Sequence, residues 1–313
     1  MPDPITRTDG IIPDGPVRSS DTPLLVIVGP TAVGKTEISL RIAPQLGGEI
    51  VSADSRYLYR GMDIGTAKPT PQERASVPHH LVDVADPEQP WSLAEYKQAA
   101  MQAIDDIAAR GKLPMLVGGT GQYVRAVVEG WTIPPSPRSR QLRAALEREA
   151  AAAPAALHAR LTALDPEAAA RIDYRNTRRV VRALEVTLDT GIPFSQQRRK
   201  HAPPLDIFQL GLTRPRPELY ARIDQRVDAM MEVGLLHEVE QLRARGCAWS
   251  LPAMSALGYK QIGGYLRGET DLPEAVRLIK KNTRRLVRRQ ANWFQATDPE
   301  IHWYDLSSET FDS

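Results

Sequence analysis

The apolar run Leu24-Leu25-Val26-Ile27-Val28, followed by Gly29-Pro30-Thr31-Ala32-Val33-Gly34-Lys35-Thr36, constrains this chain more than any other feature. Five consecutive apolar residues predict a strand buried on both faces, as in a parallel sheet. The octet satisfies G-x-x-x-x-G-K-[ST] throughout, and Ile38, Ile42 and Leu46 continue at helical spacing until Gly47. Strand, glycine turn and helix N-terminus converge backbone amides on an anion. Lys35 adds a positive point charge, and the Thr36 hydroxyl is placed to ligate magnesium. The bland alternative, an ordinary tight turn, does not account for so complete a match in this setting.

The loop predicts a phosphate without saying whose. Nucleotide hydrolysis normally needs a second carboxylate at the end of a neighbouring strand. The candidate strand, Leu113-Pro-Met-Leu-Val-Gly-Gly-Thr120, ends without one, and no Asn-Lys-x-Asp stretch that would read guanine is present. Hydrolysis is the weaker reading.

Strand-like and helix-like segments alternate from about Leu24 to Val128, which predicts an α/β fold with a parallel sheet. A second strand, Glu49–Ala53, ends at Asp54-Ser55, and Leu93–Arg110 reads as a helix stopped by Gly111. From Trp131 the character changes to a proline-rich connection and Ala- and Arg-rich helices. One starts at Asp165-Pro166, and another spans Asn176 to Asp189 with Val180, Leu184 and Leu188 on one stripe. "HAPPLDIFQLGLT" reads as a strand returning to the core. The expected organisation is a mobile tail over residues 1–22 and a P-loop NTPase-like core beginning at 23–130. A helical insertion domain follows at 131–205, and 206–313 complete the core and carry basic helices.

Composition narrows the function classes. The single cysteine, Cys247, forms no intrachain disulfide or multi-cysteine zinc site, and no apolar run approaches the ~20 residues of a membrane span. A cytoplasmic monomer is expected. A net charge of +2 does not by itself call for nucleic acid, so the placement of the basic residues has to decide.

Ligands of open α/β sheets sit beyond the carboxyl ends of the strands. Asp54 and Thr120 are therefore expected near the phosphate loop. Asp54 read alone could equally be a turn or helix cap, Thr120 a turn cap, and Asp63 and Lys68 a loop ion pair of little worth.

"GPTAVGKT", "SADSRYLYRGMDIGTAKP", "PHHLVDV", "LVGGTGQY", "RVVRALEV" and "LGYKQ" occur in this order, and with them the sequence resembles the tRNA dimethylallyltransferase (tRNA isopentenyltransferase) family from about Leu24 to Trp303. The resemblance implies transfer of a dimethylallyl group from dimethylallyl pyrophosphate to the N6 amine of the adenine 3′ to the anticodon, position 37 of tRNA, with release of pyrophosphate. It implies Asp54 as general base; a carboxylate of ordinary pKa is already ionised at pH 7, so no unusual tuning is expected. Lys35, the loop Gly29–Thr36, and Mg²⁺ on Thr36 would stabilise the leaving group. Arg222 and Arg226, four residues apart on one helix face, are the candidate pyrophosphate clamp; each singly could be a solvated residue. Thr120 corresponds to a position near the target adenine, and Asp54, Ser55, Arg56, Tyr57 and Arg143 join the expected tRNA contacts. Val33 stands where Ser is common in the family, and Leu286 where an aromatic is common.

The final helix, expected over Leu272–Gln295, gathers Arg277, Lys280, Lys281, Arg284, Arg285, Arg288 and Arg289 on one half with no acid among them. Trp293 and Phe294 fall with Val276, Ile279, Leu286 and Val287 on the other. A solvated face usually mixes signs, so phosphate binding is favoured. Arg178, Arg179 and Arg182, beside Arg175, form a second cluster. Two basic helices flanking a sheet suit an anticodon stem-loop whose base is splayed into a pocket. Tyr57, Tyr59 and Tyr123 offer stacking surfaces, although packing is the better account of each alone. A P-loop small-molecule kinase is the alternative reading, and it leaves the basic helices unexplained. A non-catalytic RNA-binding protein leaves Asp54 and Thr120 unexplained.

Overall fold

The computed structural model describes residues 22–134, 140–197 and 200–307. The expected tail therefore lies almost wholly outside the described residues. The chain runs β1 (Thr22–Val28), α1 (Lys35–Leu46), β2 (Gly48–Ser52), α2 (Pro71–Ser76), β3 (His79–His80), α3 (Leu93–Ala109), β4 (Leu113–Val117) and α4 (Gly121–Val128). Five helices follow: α5 (Arg140–Ala152), α6 (Pro154–Leu164), α7 (Pro166–Arg171), α8 (Thr177–Thr190) and α9 (Phe194–Gln197). Then come β5 (Leu205–Thr213), α10 (Arg216–Val233), α11 (Leu235–Ala244), a 3₁₀ turn (Ala253–Ser255), α12 (Tyr259–Leu266), α13 (Leu272–Gln290) and β6 (Ile301–Asp305).

The strands form one parallel sheet in the order β3-β2-β4-β1-β5-β6. β1 lies in the interior between β4 and β5. Its side chains alternate between two apolar layers, as the continuous apolar run predicts. Leu25 and Ile27 join α10 to α13 on one face through Ile223, Val227, Ile279 and Val287. Leu24, Val26 and Val28 meet α3 and α4 on the other, through Ala100, Ile104, Val124 and Val127. Helices α5 to α8 enclose a third cluster of their own, around Leu146, Leu157, Leu161, Val180 and Leu184. Asp165 caps α7 by accepting from Ala168 N, and Asn176 caps α8. Two stripe residues are corrected: Leu46 and Leu188 are exposed, because near their C-termini α1 and α8 turn Ala43, and Val186 and Thr187, inward instead.

α13 also ends earlier than the expected Gln295, at Gln290. The amides of Trp293 and Phe294 turn back onto Gln290 O, while Arg125 draws Trp293 O outward at 2.9 Å. Trp293 thereby packs against Gly121, where an added Cβ would lie 2.2 Å from the indole.

Candidate active site

The carboxyl end of β1, flanked by the ends of β4 and β5, is the point from which the chain leaves in opposite directions across the sheet. Gly29 takes φ 147° and Gly34 φ 115°, backbone states that strain a residue bearing a side chain. Gly29 also sits so close to β5 that a Cβ would lie 2.5 Å from Leu212 O. The loop is braced from outside as well: Arg214 Nε donates to Val33 O at 3.0 Å and Arg222 Nε to Ala32 O at 2.8 Å. Lys35 arches over the turn, with Nζ donating to Gly29 O at 3.0 Å and Pro30 O at 2.8 Å.

Lys35, Thr36, Asp54, Tyr57, Thr66, Arg222 and Arg226 line a cavity of about 590 Å³ together with the loop. A second cavity of about 490 Å³ is lined by Asp54, Ser55, Arg56, Thr120, Gln122, Arg226, Arg289 and Trp293. Asp54 and Arg226 border both. Ile223, Val227, Met230, Ile279 and Leu286 give the second cavity an apolar wall. Val33, by contrast, is buried beneath the loop against Gly29.

Asp54 is held at the strand end by its neighbours. Its Oδ1 accepts from Arg56 N at 2.9 Å, and Thr120 Oγ1 accepts from Ser55 N at 3.1 Å. Thr120 N donates in turn to Ala53 O. Gly118 permits this closeness, since a Cβ there would stand 2.3 Å from Ala53 O. The expected ordinary pKa of Asp54 is corrected. Burial pushes its carboxyl upward, opposed by the Arg56 amide and by the charges of Lys35, Arg56 and Lys68. Burial lowers Lys35 to about 8, with Asp54 pulling it up and Arg226 pushing it down. Arg226 is itself lowered by burial. Tyr57 donates to Ala67 O at 2.8 Å, and its hydroxyl is pushed above its ordinary value by burial and then by Asp54.

The expected tRNA contacts separate into engaged and unengaged side chains. Arg56 donates to Pro252 O at 2.9 Å and to Ser255 Oγ at 3.3 Å. Arg143 pairs with Glu147, Arg182 with Glu185, and Arg175 with Asp173. Arg178 and Arg179 are exposed on α8. On α13 the absence of acid fails as a description of the folded face, because Glu274 and two carboxylates of α10 supply it. Arg284 pairs with Asp224, Lys280 with Asp228 at 2.7 Å, and Arg277 with Glu274 at 2.5 Å. Lys281, Arg285, Arg288 and Arg289 remain exposed. Tyr59 and Tyr123 are buried, the latter stacked on Tyr96 with centroids 3.6 Å apart, so neither offers a face to a base.

Sequence reasoning missed three residues around the site. Lys68 is buried, and Nζ donates to Tyr59 O, Asp63 Oδ1 and Asp83 Oδ1 within 2.7 Å, where a weak loop pair was expected. Glu238 accepts from the amides of Asp63, Ile64 and Gly65 and from the Tyr259 hydroxyl at 2.5 Å, which fixes the loop leading to Thr66. Gln290 reaches the phosphate loop from α13. The Tyr of "LGYKQ" was a signal for the second; an isolated Gln or Lys carries none. Among the described residues no group of three His, Cys, Asp or Glu side chains is placed to hold a metal ion, and no helix is long and apolar enough to cross a membrane.

The family model "IPP transferase" matches residues 57–297, and "Isopentenyl transferase" matches 22–83. The chain is 56% identical to a tRNA dimethylallyltransferase of Roseiflexus sp. strain RS-1, over 87% of this chain and 90% of that protein. It is 50% identical to one of Thermomicrobium roseum, over 91% and 87%. The crystal structure of a tRNA isopentenylpyrophosphate transferase from Bacillus halodurans superposes with TM-score 0.69 at 42% identity, covering 93% of this chain and 92% of that one. A eukaryotic dimethylallyltransferase captured acting on tRNA gives TM-score 0.79 at 27% identity, over 91% and 74%.

Proposed function

The chain belongs to the tRNA dimethylallyltransferase family, and from that premise we propose how its residues divide the reaction. It is a prenyltransferase that modifies tRNA. In our reading the donor is dimethylallyl pyrophosphate and the acceptor is the N6 amine of adenine 37, reached on an anticodon stem-loop. A kinase reading is set aside by the family relationship. The observation that carries the assignment is Asp54, which borders both the cavity of the phosphate loop and the cavity beside Thr120.

The amine nitrogen forms a bond to the allylic carbon as that carbon's bond to the diphosphate oxygen breaks, and the bonding pair leaves with pyrophosphate. The amine lone pair is delocalised into the adenine ring, so its proton must be taken as the N–C bond forms. Asp54 accepts it, and burial makes Asp54 a stronger base than a free carboxylate. Lys35, the loop amides, Arg222 and Arg226 carry the growing negative charge of the leaving group. Thr36 is the residue that would hold Mg²⁺. Thr36 lines the cavity of the phosphate loop, and its hydroxyl is an oxygen ligand of the kind Mg²⁺ takes. When bound, the ion would add positive charge at the diphosphate. Thr120 positions the turn carrying Asp54, and Arg178, Arg179, Arg285, Arg288 and Arg289 face the RNA phosphates.

Incubation with anticodon stem-loop RNA, dimethylallyl pyrophosphate and a divalent ion, followed by nucleoside mass analysis, tests this. The expected product is a single adenosine heavier by one dimethylallyl group. RNA-stimulated ATP hydrolysis without prenyl transfer would sink the reading.

A further inference from the structure

Gln290 is 8% exposed and bonds to two segments that are far away in the chain. Its Oε1 accepts from Thr31 N at 2.8 Å, and its Nε2 donates to Gly119 O at 3.0 Å. Thr31 belongs to the phosphate loop, whose neighbouring carbonyls, Gly29 and Pro30, are held by Lys35. Gly119 precedes Thr120, which accepts from the amide of Ser55, next to Asp54. One carboxamide thus spans the donor side and the acceptor side of the site.

The surroundings leave this amide little freedom. A Cβ on Gly119 would stand 2.4 Å from Nε2, with every other non-neighbouring atom of another residue at 3.5 Å or beyond. One turn further, Trp293 packs on Gly121 and is tethered through Arg125. The same helix end displays Arg285, Arg288 and Arg289 to solvent.

We infer that Gln290 is a positioning residue. It sets the separation between the phosphate loop and the Gly119–Thr120 turn, from the helix that carries the exposed arginines. The inference rests on the prenyl-transfer reading above. Displacement at the allylic carbon requires amine and leaving oxygen at a fixed separation, and a misplacement of about 1 Å can cost roughly 10²-fold in rate. Gln290 borders both cavities, and its carboxamide is committed to Thr31 N and Gly119 O, so it acts through the phosphate loop and the Gly119–Thr120 turn.

Gln290→Ala, Gly119→Ala and the double variant test it by single-turnover rate at saturating RNA and diphosphate, alongside the dissociation constants for both substrates and the thermal midpoint. Gln290→Ala is expected to slow the step by roughly 10- to 100-fold while both affinities stay within about threefold of wild type. Gly119→Ala is expected to slow it too, because its methyl group displaces Nε2. In the double variant that methyl meets no amide, so the rate should be no lower than in Gln290→Ala alone. Gln290→Glu should not rescue, since it can accept from Thr31 but cannot donate to Gly119. Wild-type transfer with an unaffected Gln290→Ala rate overturns the positioning role alone, as does additivity in the double variant. So does a slower Gln290→Ala step matched by loss of both affinities and of thermal stability. No transfer by wild type overturns the reading on which it rests.

Discussion

Lys35 and Asp54 face a common cavity, and each shifts the other's proton equilibrium: the carboxylate raises the ammonium, and the ammonium lowers the carboxyl. Burial works against both charges, raising the carboxyl above its ordinary value and lowering the ammonium to about 8.

The pH profile should show both shifts. Activity requires Asp54 ionised and Lys35 protonated, so kcat/KM should rise with pH through the elevated Asp54 pKa. It should fall again as Lys35 loses its proton near about 8. In Lys35→Arg the alkaline limb should disappear, because guanidinium stays charged over the whole range. An unchanged alkaline limb in that variant assigns the limb to another group.

Asp54→Asn should separate activity from stability. The amide cannot take the amine proton, so kcat should drop by about 10² to 10⁴-fold with little change in KM. Stability should move the other way. The native pKa lies above the unfolded one, so between the two the folded protein binds more protons and loses stability as pH rises. Above the unfolded pKa the wild type carries a growing share of that deficit, and the neutral amide carries none. Urea unfolding at pH 7 should find the variant at least as stable as wild type; a less stable variant contradicts the sign.

Glu238→Gln should damage the site from a distance. Three amides and a tyrosine hydroxyl converge on that carboxylate. An amide group cannot accept at both ends, so about 2–4 kcal/mol should be lost. The loop it releases leads to Thr66 in the first cavity, so KM for the isoprenoid should rise as well. Denaturant titration and steady-state kinetics on the same preparation measure both.

The arginines of α13 should fall into two groups. Arg285, Arg288 and Arg289 replaced together by Ala should weaken stem-loop binding and flatten the log–log salt slope by up to about 2 units, with little change in thermal midpoint. Arg284→Ala should cost about 1 kcal/mol of stability through its pair with Asp224 and change the salt slope less. Equal salt slopes for the two variants refute the division.

The phosphate loop and the strand before it were legible because local chemistry dictates them: an apolar run, two left-handed glycines and a helix start lie within thirteen residues. Asp54 and Thr120 were legible through the rule that ligands gather at strand ends. What one element does to another was not legible. The acids that neutralise Arg284 and Lys280 sit on α10, more than fifty residues upstream, and no pattern within α13 reveals them. The elevated pKa of Asp54 belongs to the same class, since desolvation is a property of the assembled cavity. Gln290 looks like one more polar residue in a basic run until its burial is known.

The sheet order has a consequence for how the polypeptide is made. Among the described strands β1 leaves the ribosome first, yet one of its edges pairs with β5, which cannot be synthesised until about 180 further residues have followed. During that interval β1 presents a bare apolar edge, the kind of surface that invites wrong pairing and chaperone capture. Helices α5 to α8, with their own apolar cluster, can fold while the edge waits. The loop that grips phosphate leans on Leu212, Arg214, Arg222 and Gln290, so nascent chains released before β5 emerges carry the complete motif without any of these supports, and chains released before α13 emerges still lack Gln290.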